Sequence, residues 1–389
     1  MSNYNIICAA ADTPEKLKSK ADYICDAADA RPVMQQAIDE ADALGVSCVL
    51  LKGTYTINSS GERSSKGGIC FYNTDAGKKF YCQNKSRYHV LEGAKAPLGW
   101  KDGAIITMGK DFYDSLPDDD TFSLFYNDGN NIFGRALMAK NLIVRLPGNY
   151  KPVIVFDGRF ASTVRYEDCW VCALDIDNVN YSTGEGVPMP HPESVGFRGC
   201  CGSCYYTTEW KNCAVQGFGT GFEIGGEHVY CESLSALYNI YGFTFDCYKG
   251  KDHIDLPKDA PGRGINMYPV TCINLLDEHN VHMPRFGNMS QGGGAGMEQW
   301  GEHIKILGMN LQWPNTCPGY TADMRGTPAF TEGRHRATEM NPGIWRGSIE
   351  YVIDYVEPGA HAHICMDPFF EEGHGINIVT ENIHRRLDD

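Results

Sequence analysis

The sequence predicts an all-β chain built as a solenoid and closed at its start by an amphipathic helix. Short β-branched and aromatic runs recur along most of the chain, separated by Gly, Asn and Asp. A Gly-Phe step returns about one coil apart, in Gly217-Phe218-Gly219-Thr220-Gly221-Phe222 and again in Tyr241-Gly242-Phe243, which suits solenoid periods of ~20 residues and above. One strongly helical segment precedes these runs, and such a helix has no role at the start of a sandwich or barrel. The 43 glycines, 21 tyrosines and 17 phenylalanines fit a chain of many short strands and tight turns.

Ile6-Ile7-Cys8-Ala9-Ala10 reads as a first strand. Thr13-Pro14-Glu15 predicts a helix start, with Thr13 as N-cap and Pro14 at the first helical position. Tyr23-Ile24-Cys25 is a second short strand. From Pro32 to Leu44, Val33, Met34, Ala37, Ile38, Ala41 and Leu44 recur at three- and four-residue steps, an amphipathic helix that Gly45 ends. Cys48 to Ile57 follows as strand, turn, strand. Later strands are expected at Asn141 to Arg145, Val153 to Phe156, Thr163 to Tyr166, Gly221 to Ile224, Gly242 to Phe245 and His303 to Leu307.

The acidic stretch from Asp114 to Thr121 reads as a solvated loop. Asn178 to Ser194 and Lys249 to Arg263 read as excursions, the places where solenoids build binding faces. After Met309 proline turns loosen the pattern, and strand character returns at Ser348 to Ile353. This gives an N-terminal cap and first coil at 1–57 and a body at 58–308. An irregular C-terminal part at 309–389, assigned to oligomer contacts, completes the chain.

The formal net charge of −15 repels phosphate backbones, so nucleic acid is not an expected partner. No run approaches the ~20 apolar residues that span a bilayer, so membrane insertion is not expected either. The N-terminus lacks a basic region followed by a long apolar one, so the expected location is cytoplasmic, or virion-associated for a phage protein. Sixteen cysteines in a reducing compartment read as small buried hydrophobes. Cys169-x-x-Cys172 and Cys201-x-x-Cys204 also have zinc-ribbon spacing, which leaves structural zinc open.

The stretch from Ala21 to Ile57, ADYICDAADARPVMQQAIDEADALGVSCVLLKGTYTI, resembles the N-terminal capping segment of pectate-lyase-like β-helix proteins. The resemblance covers about a tenth of the chain. It implies a single-stranded right-handed parallel β-helix whose open end, with its unpaired strand edges, lies under the capping helix. A looser resemblance is to tail-spike and tail-fibre-like proteins of phages and prophages of gut bacteria. Gly226-Glu227-His228 before the Leu237 to Phe243 step, Asp277-Glu278-His279-Asn280 before a Met-Pro-x-Phe step, and Trp345 to Glu350 carry it. That resemblance implies a homotrimer. The chain opens almost directly on the cap, without the head domain that anchors such spikes to a particle.

Together these imply a carbohydrate-active protein whose partner is a polysaccharide or oligosaccharide. The leading expectation is a polysaccharide-cleaving enzyme, a glycoside hydrolase before a lyase. The alternatives are a non-catalytic adhesin for host surface glycans and a structural solenoid with no glycan site. Hydrolysis needs two carboxylates ~5 Å apart for retention or ~6.5–9.5 Å apart for inversion, and neighbouring coils stack side chains on one face. The candidate catalytic residues are therefore Asp277, Glu278, Glu227, Glu223 and Glu298, with Glu167-Asp168 a further acidic pair.

His228, His279, Arg159, Trp300 and Trp313 are the candidate substrate-binding residues; Trp170 and Trp210 lie in strand-like runs and read as packing. The hydrolase reading needs no cofactor. A lyase would take calcium and a base such as Arg159 or Arg165. Gly373-His374-Gly375 echoes a polygalacturonase motif, but a paired Asp-Asp and an Arg-Ile-Lys do not accompany it. Gly292-Gly293-Gly294 lacks a following Lys-Ser or Lys-Thr and reads as a turn.

Overall fold

The computed structural model describes residues 4–62, 64–71, 90–94, 102–127, 136–159, 161, 163–174, 186–199, 208–225, 228–245 and 270–281. Beyond these it gives strands as far as 380, with side chains only at 305–309. The chain is mostly β. Its named strands form sheets of 18, 9 and 3 strands, in which every pairing is parallel.

The chain lays down three strands per rung, and each pairs with its counterpart on the next rung. Ala136–Lys140, Ile143–Arg145 and Val153–Asp157 are followed by Thr163–Glu167, Trp170–Cys172 and Val195–Arg198, paired one to one in that order. Thr208–Lys211, Ala214–Gln216 and Thr220–Ile224 come next, and then Val229–Glu232, Ser235–Leu237 and Tyr241–Phe245. The first two strands of the following rung are fused into Val270–Glu278. Parallel pairing continues through Ile304–Gln312 and Ser348–Val356 to Gly375–Thr380, across position 309.

One corner recurs with a fixed backbone solution. Asn141, Asp168, Asn212, Ser233 and Asn274 all have φ between 51° and 55° at the junction of first and second strands. This left-handed conformation suits Asn and Asp, whose short polar side chains tolerate it. Each of the first four donates its N–H at 3.0 Å to a carbonyl of the next rung, on Glu167, Lys211, Glu232 and Ile273 in turn. Side chains stack too: Asn212 Nδ2 donates to Asp168 Oδ1 at 3.3 Å and Asn274 Nδ2 to Ser233 Oγ at 3.1 Å.

A continuous apolar core runs from Ile6 to Met309. Phe125, Phe156, Phe197, Phe222 and Phe243 stack in sequence with centroids 5.0–5.4 Å apart. The Gly-Phe step is a packing device. A Cβ on Gly221 would lie 2.7 Å from Val215 and 2.8 Å from the carbonyl of Gly242, so the backbone comes too close for any side chain.

The amphipathic helix spans Arg31–Leu44 and buries Met34, Ala37, Ile38 and Ala41 against the first strands; Gly45 ends it at φ 65°. The earlier helix, Glu15–Lys18, differs from expectation at its start. Pro14 is the N-cap, while Thr13 Oγ1 accepts from Ala10 N at 2.9 Å and donates to Lys52 O at 2.8 Å. Thr13 thus ties the first strand to a later turn. A third helix, Lys110–Ser115, takes in Asp114, which the sequence assigned to a solvated loop; the Lys110–Asp114 pair at 2.8 Å spans one helical turn.

Candidate functional site

The expected centre was Asp277 and Glu278. Strand alternation puts Val270 and Cys272 in the core, and Asn274 at φ 55° then shifts the phase by one residue. Leu275 and Asp277 consequently face inward and Glu278 faces out. Asp277 is 0% exposed, paired in register with Ala236, and its Oδ1 accepts from Asn280 Nδ2 at 2.6 Å. It sits on the inner side of the sheet, out of reach of a polymer. The strand runs on through Glu278, and only His279 begins the turn.

Glu278 and His279 do meet, at 3.0 Å between Oε1 and Nε2. The imidazole stacks at 5.0 Å on Tyr238, which occupies the same corner one rung earlier. Behind them Asn280 is fully buried. Its Oδ1 accepts from the backbone N and the Nδ2 of Asn239, at 2.8 and 2.9 Å, and its Nδ2 also donates to Ala236 O. Asn239 Oδ1 accepts in turn from Phe218 N at 2.9 Å. This corner is an amide ladder that fixes rung spacing.

Glu223 and Arg159 belong to a different column. Tyr126, Asp157, Arg198, Glu223 and Thr244 follow one another in register, on the face opposite the phenylalanine stack. Arg159 Nε contacts both Asp157 oxygens, at 2.7 and 2.9 Å, and Ser123 Oγ donates to Asp157 Oδ2 at 2.6 Å. Burial by itself would raise the Asp157 pKa, but the Arg159 guanidinium and Arg198 overcome it and hold it at about 2. Arg198 grips Glu223 on the next rung with both side chains at most 6% exposed. Charges alternate along this column, each carboxylate carries an arginine, and neither Glu223 nor Arg159 is presented to a substrate.

Glu227 and Trp313 lie outside the described residues. Glu298 and Trp300 sit on the strand Glu298–Trp300, in register with Ile344 and Arg346, and their side chains lie outside the described residues. His228 is exposed at φ 56°, at the head of Val229–Glu232, and its carbonyl accepts from Thr208 N at 3.0 Å. Cys169 packs in the main core, whereas Cys172 joins Leu174, Val187 and Tyr238 in a separate cluster, so the pair does not converge on one ion. Cys201 and Cys204 lie outside the described residues. Among the described residues no three His, Cys, Asp or Glu side chains gather as metal ligands. Trp210 is fully buried, as expected of packing, while Trp170 is half-buried.

Among the described residues, the richest accessible chemistry is on the first-strand face. Glu92, Lys140, Glu167, Lys211 and Glu232 stand in register on five successive strands, alternating in charge. Beside them run Arg165, Glu209, Tyr230 and Thr271. Lys140 Nζ pairs with Glu167 at 2.8 Å; Lys211 Nζ lies 3.9 Å from Glu209 and 5.3 Å from the centre of the Tyr230 ring. Tyr230 OH donates to Glu232 at 3.0 Å, a bond that raises the phenol's pKa because the ionised ring would face a carboxylate.

None of Arg165, Glu209, Lys211, Tyr230 and Glu232 is buried. Strands thus hold an aromatic ring between carboxylates and an ammonium group, an arrangement that offers an apolar ring beside hydrogen-bond donors and acceptors. Sequence reasoning missed four of these five. The signal was there: Thr-Glu-Trp-Lys at 208–211 returns as Val-Tyr-Cys-Glu 21 residues later. No protein family, curated protein or solved structure matches the chain.

Proposed function

We propose that the chain is a single-stranded right-handed parallel β-helix that recognises a polysaccharide along this lateral face. The three-strand rungs support the solenoid, and the strong preference of parallel crossovers for one hand supports right-handedness. The observation that carries the glycan reading is Tyr230, held by Glu232 and Lys211 on an accessible sheet between carboxylates of neighbouring rungs. Binding is favoured over cleavage because, among the described residues of this face, Glu167 and Glu209 are engaged by lysines and Glu232 by a phenol, while Asp277 and Glu223 are buried.

Cleavage is the second reading, and one spacing favours it. Glu209 and Glu232 lie on one face, one strand and two residues apart, ~8 Å between Cα positions on parallel-sheet geometry, so their carboxyl groups share the side on which an inverting pair, ~6.5–9.5 Å apart at the carboxyls, would stand. In that reading Glu232, beside the Tyr230 hydroxyl, activates water and Glu209 protonates the leaving group. A homotrimer belongs to the same proposal, because three-fold closure uses up lateral interfaces that would otherwise propagate fibres.

Binding to a panel of bacterial and plant polysaccharides, measured beside reducing-end release, is the test. Retention of one glycan, lost in Tyr230→Ala, is expected. No retention across the panel, or retention untouched in Tyr230→Ala, would remove this site. Reducing ends released by the parent and abolished in Glu209→Gln would move the conclusion to the hydrolase. Sedimentation at micromolar concentration checks the trimer, and a monomer would overturn it.

A further inference from the structure

We infer that a second, separate site for a neutral monosaccharide lies beneath the capping helix. A cavity of about 320 Å³ opens between the first turns of Arg31–Leu44 and the edge strand Gly67–Phe71, large enough for a hexose ring. Its floor is Cys70 and Tyr126, partners in register on adjacent strands. Its walls include Arg31, Gln36, Asp39 and Glu62.

The walls are fixed before any ligand arrives. Gln35 Nε2 donates to Cys70 O at 2.7 Å and Gln35 Oε1 accepts from Cys70 N at 2.8 Å, so one carboxamide replaces the missing neighbour strand. The same Nε2 donates to Asp39 Oδ1 at 3.0 Å, which sets that carboxylate at the cavity. Arg31 Nε donates to Ser59 Oγ at 2.8 Å, and Ser59 donates to Asp29 at 2.5 Å. Gly67 lets the backbone approach Tyr126; a Cβ there would lie 2.3 Å from its ring.

The lining selects the ligand class. Two carboxylates against one guanidinium leave the cavity with a net negative charge, which disfavours phosphates and uronic acids. Carboxylates accept from hydroxyls, while guanidinium and amide donate to them, the alternation that a polyol offers around its ring. Pro32 and the Tyr126 ring supply apolar surface for the C–H face. The site stands on this cavity alone and does not depend on the lateral face.

Saturation-transfer NMR on the full chain tests it, with glucose, galactose, mannose and N-acetylglucosamine as probes and glucuronate and glucose 6-phosphate as anionic controls. At least one neutral sugar is expected to bind with about millimolar affinity, the ordinary yield of so small a ligand, and the anions to bind more weakly. Gln36 and Glu62 are exposed at the cavity, so Gln36→Ala/Glu62→Ala should keep the parent's melting temperature and weaken binding about fivefold or more. Tyr230→Ala should leave this binding unchanged, which separates its fate from that of the lateral site. No signal from any neutral sugar, preference for the anions, or full binding in the double variant would each overturn the inference.

Discussion

Arg198 holds Glu223 of the next rung from two directions: Nη2 donates to Oε2 at 2.9 Å and Nε lies 2.8 Å from Oε1. Both side chains are nearly sealed from solvent. A pair so placed specifies register, because slipping one strand by a residue would strand both charges. Arg198→Met, which leaves Glu223 buried and unpaired, is expected to cost about 3–5 kcal/mol in chemical denaturation. Arg198→Met/Glu223→Leu should recover most of that loss; a double variant as unstable as the single one would refute the register role.

Asp157 gives the column a pH signature. Its folded pKa of about 2 lies below the ordinary carboxylate value, so the ionised form is the one that folding stabilises. That contribution is complete above about pH 4 and is lost as pH falls toward 2, amounting to about 2 kcal/mol. Asp157→Asn should therefore destabilise the protein at pH 6 and converge on the parent near pH 2. Parallel stability curves across that window would contradict it.

Asn280 is expected to be more costly to lose than the acid beside it. Asn280→Ala leaves the buried Asn239 amides and the Ala236 carbonyl without partners, a loss of about 3 kcal/mol or more at 1–3 kcal/mol per orphaned group. Asp277→Asn keeps the shape and a bond to the ladder, so glycan binding should be untouched. Loss of binding in a folded Asp277→Asn variant would return this residue to the functional site.

The cap is tested at Ile38, fully buried on the inner face of the helix. Ile38→Asp should cost about 3 kcal/mol or more, since it places an unpaired charge against the first strands. A variant with the parent's denaturation midpoint would remove the capping role.

On the lateral face, Tyr230→Ala should weaken glycan binding about tenfold or more, as for an aromatic anchor at a contact centre. Tyr230→Phe keeps the ring and loses only the bond to Glu232, so it should retain most of the affinity. Equal losses in both variants would assign the affinity to the hydroxyl.

Local chemistry by itself determined the β-rich character, the helix from 31 to 44 and its glycine stop, and the Gly-Phe steps. Each follows from periodicity or steric need within a few residues: Ile38 and Ala41 share a helix face, and Gly221 leaves room for the neighbouring strand. Only tertiary structure decided which side of the wall each strand residue takes. Counted by strict alternation from Val270, Asp277 falls on the outer face with Thr271 and Ile273. The left-handed turn at Asn274 reverses the phase inside an unbroken strand, and the acid goes in. Register is equally non-local: Arg198 meets Glu223, and Tyr230 stands beside Glu209, because rungs of unequal length bring them level. Those lengths are set by loops and corners, so the accessible cluster at Tyr230 emerged only once the rungs were aligned.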